Sequence, residues 1–355
     1  MRNLTKLLAL AFFFTMMIGC SGKQASKPLN NLSDSVNVPD TSKVVVPDTV
    51  VKTTQQADPS WEEALKNQKA IAANPAIPDP PKGEIVLSPK GSGAPPMKTI
   101  TRLNDPNKSK ELLDGLEKAK NGDMKGAILN FNDAIARNPG NYMAFFFRGK
   151  AKLELKDTEG ALKDIGESAA LYPDQVSAHY YLGKIYFDKK EYPKALDAFN
   201  KALNAKPTDA ASLDFRGVTR AMLGKHTDAV NDYDAALKSD PDYSTSYYNK
   251  GTSLAALKKY DEAVVCFTEA LNRQADTKLC YMNRGNCYVM LNNPKAAIDD
   301  YSKLIELDPN NSDAYFNRGT AYSMTGDNRM CDDWRKAASL GNSKAAASLK
   351  QNCGN

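Results

Sequence analysis

The stretch Val176–Asp209, VSAHYYLGKIYFDKKEYPKALDAFNKALNAKPTD, reads as two amphipathic helices. Leu182, Gly183 and Tyr186 recur at helical spacing in its first half, and Ala195, Phe199 and Ala202 do so in its second before Pro207 stops the run. Gly183 and Ala195, with no side chain or a single methyl, let two antiparallel backbones approach. Tyr186 and Phe199 fill the space on either side.

The same unit returns every 34 residues. The helix-ending proline recurs as Pro139, Pro173, Pro207, Pro241 and Pro309, with Ala275 breaking the series. With Val176 counted as position one, position eight is glycine in all seven units: Gly115, Gly149, Gly183, Gly217, Gly251, Gly285 and Gly319. Position twenty reads Ala127, Ala161, Ala195, Ala229, Ala263, Ala297 and Cys331, and position twenty-four reads Phe131, Ile165, Phe199, Tyr233, Phe267 and Tyr301. The last unit departs, with Cys331 for alanine and Trp334 one residue before the usual aromatic position.

This order of small, small, aromatic and proline in a unit of this length resembles the tetratricopeptide repeat family. The resemblance covers residues 108–341. It implies an all-α, right-handed superhelical solenoid of about seven helix-turn-helix repeats. Residues 342–355 follow Gly341-Asn342 as a last helix and tail, which would cap the open apolar end of the stack.

Composition fits a large soluble interior, with 42% apolar and 25% charged residues. The net charge of +5 falls to +3 without Arg2 and Lys6, and Lys and Arg are interspersed with Asp and Glu, so nucleic acid is not an expected partner. Residues 1–19 have a basic start and an apolar core from Leu7 to Ile18, which is short for a spanning helix and reads as a secretory signal. The end, Met17-Ile18-Gly19-Cys20-Ser21, resembles the lipobox of bacterial lipoproteins. That resemblance implies cleavage before Cys20, acylation of its sulfur and new amino terminus, and, with Ser21 next, an outer-membrane anchor facing the periplasm. A plain cleaved signal with an incidental cysteine is the other reading.

Residues 20–107 read as a tether rich in Pro, Ser and Thr, with the echo Val38-Pro39-Asp40-Thr41 and Val46-Pro47-Asp48-Thr49. Ser60-Trp61-Glu62-Glu63 has capping-box spacing, so a short helix near 61–73 is expected, followed by a proline-rich extended arm that either lies free or occupies a groove of the repeats.

No catalytic constellation emerges, and neither a metal site nor a cofactor site is expected. The two histidines fall in register, His179 where other units have Phe145, Tyr247 or Tyr281, and His226 where they have Tyr192 or Tyr260, so each reads as a packing ring. The pairs Asp299-Asp300 and Asp332-Asp333 point about 100° apart on a helix, an arrangement expected to face solvent. Cys280 and Cys287 are about 10 Å apart along one helix and cannot bridge. Cys331 and Cys353 come to similar heights across the turn at Gly341; they either bridge, or Cys331 is simply a small residue in an alanine position.

Function then falls to the surface of the stack. In the family, the first helix of each unit lines a concave groove. Position five reads Phe146, Tyr180, Asp214, Tyr248, Met282 and Phe316, and position six reads Asn249, Asn283 and Asn317 in three units. An aromatic row beside an amide ladder suits an extended peptide, although the same residues also suit packing between units. The expectation is an envelope-anchored scaffold binding protein or peptide partners, with a glycan-binding wall module as the alternative and an enzyme less favoured.

Overall fold

The computed structural model describes Trp61 and residues 106–354. The signal segment 1–19, Cys20 and the rest of the 20–105 tether except Trp61 lie outside the described residues. From Pro106 onward the chain is a succession of helix pairs. These are α1 (Pro106–Lys120) with α2 (Met124–Arg137), α3 (Tyr142–Glu154) with α4 (Thr158–Leu171), α5 (Val176–Asp188) with α6 (Tyr192–Ala205), and α7 (Ala210–Met222) with α8 (His226–Ser239). There follow α9 (Ser244–Ala256) with α10 (Tyr260–Asn272), α11 (Thr277–Met290) with α12 (Pro294–Leu307), and α13 (Ser312–Thr325) with α14 (Arg329–Ser339), before the single helix α15 (Ser343–Asn352). No strand occurs among the described residues.

Each pair closes on its glycine. A methyl placed on Gly183 would sit 2.5 Å from the Phe199 ring, and the same lock joins Gly115 to Phe131, Gly217 to Tyr233, Gly251 to Phe267 and Gly285 to Tyr301. These rings are fully buried. Burying a ring of this size stabilises by roughly 1.5–3 kcal/mol, so the periodic glycine-ring lock is the main energetic unit of the fold.

Local chemistry sets the turns. The residue before each helix-ending proline is held extended, with φ near −136° at Asn138, Tyr172 and Asp240, because the proline ring excludes helical backbone there. Unit five shows the converse. Ala275 keeps the N–H that a proline lacks and donates it to the Ala270 carbonyl at 3.0 Å, and Gln274 takes a left-handed φ of 57°, a helix ending that proline forbids. Inside each pair the turn also needs one left-handed residue. Gly122, Gly224 and Gly326 fill it without strain, whereas Lys156, Lys190, Lys258 and Asn292 fill it with side chains.

The seventh pair is one residue short. Trp334 reaches Gly319 from 15 positions away and donates its indole N–H to the Phe316 carbonyl at 3.2 Å. The backbone that faces Gly319 is the Met330 carbonyl, where Gly149 faces the Ala161 carbonyl. Cys331 is therefore displaced from the alanine contact position that the 34-residue count assigns to it. It turns toward α15 and is joined to Cys353 by a disulfide, with the two Cα atoms 5.8 Å apart. Ala345, Leu349 and Cys353 pack on Trp334 and Ala337, closing the end of the stack.

Neighbouring first helices touch across units, α5 with α7, α7 with α9, α9 with α11 and α11 with α13. The array thus curves with its first helices on the inner side.

Candidate functional site

The inner side carries positions five and six of every first helix. Phe146, Tyr180, Asp214, Tyr248 and Phe316 are buried, Met282 is half-buried, and Asn249, Asn283 and Asn317 are buried. The expected open row is closed. Two position-five rings turn onto the next unit, Phe146 meeting Tyr181 edge-on at 5.5 Å and Tyr180 meeting Phe215 edge-on at 5.4 Å, while Tyr248 tilts against Phe267 of its own pair at 5.7 Å. The amides are likewise committed between units. Asn283 Nδ2 donates to the Tyr248 hydroxyl at 2.9 Å, Asn317 Nδ2 donates to Asn286 Oδ1 at 3.1 Å, and the Tyr301 hydroxyl donates to that same oxygen at 2.7 Å.

Sequence reading of position six stopped at the three asparagines. The same position in units two to four is Phe147, Tyr181 and Phe215, all buried. Position nine there supplies Lys150 and Lys184. The Lys150 ammonium lies 5.4 Å from the Tyr181 ring centre, and that of Lys184 lies 5.5 Å from Phe215. The missed signal was the position-six series itself, read across all units. Trp61, from the tether, sits on this part of the inner side: its ring is 5.7 Å from Phe147 and 6.5 Å from Phe131, with Lys150 Nζ 4.8 Å above it.

Between the aromatic and amide parts lies Asp214, fully buried in unit four. Ser246 of unit five donates to its Oδ1 at 2.5 Å, and Asn249 of the same unit also bonds the carboxyl. Burial pushes this carboxyl up to about 7.

The opposite side holds a different arrangement. Arg216 makes a forked bond to Asp232 of its own pair, with Nη2 2.7 Å from Oδ1, and reaches back to Asn200 of the preceding unit at 3.0 Å. The same triad joins Arg148 to Asp164 and Asn132, Arg284 to Asp300 and Thr268, and Arg318 to Asp333 and Ser302. Asp300 and Asp333, expected to face solvent, are buried acceptors of these forks, because the second helix turns them inward toward position seven of the first. Unit three replaces the triad with Gly166, Leu182 and Ala198, and there an open cavity of about 640 Å³ remains, lined also by His179, Tyr186, Lys194 and Lys201.

Remaining polar side chains are structural. His179 is buried with Nε2 2.8 Å from the Pro173 carbonyl, and half-buried His226 opens α8, its imidazolium disfavoured by desolvation. Cys266, Cys280 and Cys287 are buried free thiols; burial pushes the first to about 11 and the other two to about 12, so none is thiolate near neutrality.

Three family models described as tetratricopeptide repeat match residues 279–311, residues 112–175, 152–210 and 219–278, and residues 301–332. The chain belongs to the tetratricopeptide repeat family. No curated protein matches it. Among solved structures, it is similar to the C-terminal part of a TPR repeat-containing protein of Cytophaga hutchinsonii, at 19% identity and a TM-score of 0.56, covering 66% of this chain and 98% of that one. It is also similar to a tetratricopeptide repeat protein of Parabacteroides merdae, at 19% identity and a TM-score of 0.50, covering 69% and 98%. Pseudomonas aeruginosa PilF aligns at 12% identity with a TM-score of 0.52, covering 58% and 94%. These likenesses concern the fold. Members of the family are generally non-catalytic protein-interaction scaffolds.

Proposed function

We propose that this protein is an envelope scaffold, held to the outer membrane by acylated Cys20 and facing the periplasm, that binds an extended peptide of a partner protein along its inner side. The observation that carries the reading is the seating of the Trp61 ring among Phe131, Phe147 and Lys150. An aromatic side chain is thereby accommodated on the side where repeat arrays present their first helices. The buried rings of Phe131, at position twenty-four, and Phe147, at position six, form its floor and bear directly on whatever lies above them. A glycan platform, by contrast, needs ring faces open to a sugar, and here the Phe146 and Tyr180 rings are buried edge-on against Tyr181 and Phe215.

The anchor and the scaffold are tested together. In the native host, Cys20→Ser is expected to move the protein out of the membrane fraction or to leave its signal uncleaved, while crosslinking of the wild-type chain captures protein through α3, α5 and α7. Membrane attachment of a correctly cleaved Cys20→Ser chain contradicts the lipid anchor. Sedimentation with purified peptidoglycan and no crosslinked protein contradicts the scaffold.

A further inference from the structure

We propose that the inner side of units one to three is a receptor for an acidic, tryptophan-bearing peptide, and that Trp61 fills it in cis as a resident stand-in. The inference rests on the inner side being the binding surface and names what that surface takes.

Three features converge on one spot. Phe131 and Phe147 lie 6.3 Å apart with nearly parallel rings, and Trp61 stacks on the first and tilts on the second, so the seat is two rings wide. Lys150 is only 5% exposed, yet its ammonium stands 4.8 Å over the indole, an arrangement that favours tryptophan, whose ring face attracts a cation most strongly. Lys184 continues the cationic line one unit on, 5.7 Å from Tyr180 and from Tyr181. A peptide that carries carboxylates beside its tryptophan matches the sign of this line, and the resident sequence has that composition, Asp58-Pro59-Ser60-Trp61-Glu62-Glu63.

The stand-in is exchangeable. Trp61 is half-buried and packs only at the edge of the core, and 44 residues separate it from Pro106 at the start of α1. Their contour spans at most roughly 150 Å, so the ring can leave its seat without disturbing the helix array. A partner in trans competes with a ring held permanently nearby. Removing that ring therefore raises the partner's apparent affinity.

The test uses the full chain without its signal and a fluorescent peptide of residues 57–68, ADPSWEEALKNQ. Trp61→Ala is expected to bind this peptide at least tenfold more tightly than the wild-type chain does, and the peptide with alanine for its tryptophan is expected not to bind. Adding Lys150→Met to Trp61→Ala should abolish the gain. As a second readout, adding Lys150→Met to a folded Trp334→Phe chain should make Trp61 more accessible to acrylamide. No binding by a folded Trp61→Ala chain, or equal binding by the tryptophan and alanine peptides, overturns the inference. If a natural partner still crosslinks to the inner side in that case, the scaffold reading stands and only the tryptophan receptor falls.

Discussion

Units two to four and units five to seven all close on the position-eight glycine, against Ile165 in unit two, the shifted Trp334 in unit seven and a position-twenty-four ring in the others, and differ in what fills the space between first helices. Position six is Phe147, Tyr181 and Phe215 in the first group and Asn249, Asn283 and Asn317 in the second. In the first group most buried apolar residues form one cluster running from Leu112 to Tyr233, which Trp61 joins from outside, with Leu203, Leu213 and Ala236 as a small satellite. In the second they break into smaller groups around Tyr248, Tyr301 and Phe316, and buried Ser246, Thr252, Ser253, Asn286 and Thr320 occupy the gaps. Identical helix geometry is thus held by non-directional burial on one side and by directed hydrogen bonds on the other. Burial tolerates an exchanged ring, which suits a receptor; a hydrogen-bond network demands every partner and suits a fixed frame.

The strongest attempt to break this contrast is to write one half's residue into the other. Phe215→Asn removes a ring from the continuous core and leaves an amide among rings, and should destabilise the chain by about 4 kcal/mol in urea unfolding. Asn317→Ala deletes a donor to Asn286 and should cost about 2 kcal/mol. Equal costs would mean that the two halves are held in the same way.

A second measurement addresses what the halves share. Gly183→Leu and Gly285→Leu each drive a side chain into a ring, Phe199 and Tyr301, whose edges already lie within 2.7 Å of an added methyl. Both should lose about 2 kcal/mol or more, by the same amount within error. A neutral result at either site contradicts the lock.

These two tests mark what was legible in the sequence. The lock was visible because close backbone contact admits only glycine or alanine, and that demand repeats every 34 residues with no knowledge of curvature. Burial of Tyr248 and Asn283 was one of two readings the sequence left open, because the choice depends on how closely consecutive first helices approach, a property of the superhelix and not of one unit. The Arg216–Asp232 fork was hidden for a related reason: its members lie 16 residues apart on different helices, and charged residues in each helix alone look like solvent-facing surface. The shift at Cys331 came from one missing residue in the last turn, which leaves position counting intact up to Gly326 and wrong after it.

The inner side changes character at Asp214, whose carboxyl is bonded across the boundary by Ser246. The sign of its pH effect follows from its position. Below about pH 4 the carboxyl is protonated in the folded and unfolded chains alike and contributes nothing to stability. Between about 4 and 7 the unfolded chain ionises while the buried group keeps its proton, so stability falls as pH rises, and above about 7 the loss is complete. The most direct measurement is hydrogen exchange at pH 8, comparing wild type with Asp214→Asn. We expect the variant to be more protected by about 1 kcal/mol, with the gain confined to α7 and α9 and absent at pH 4. An equal gain in α3 and α13, or a loss of protection in α7 and α9, would contradict a boundary at Asp214.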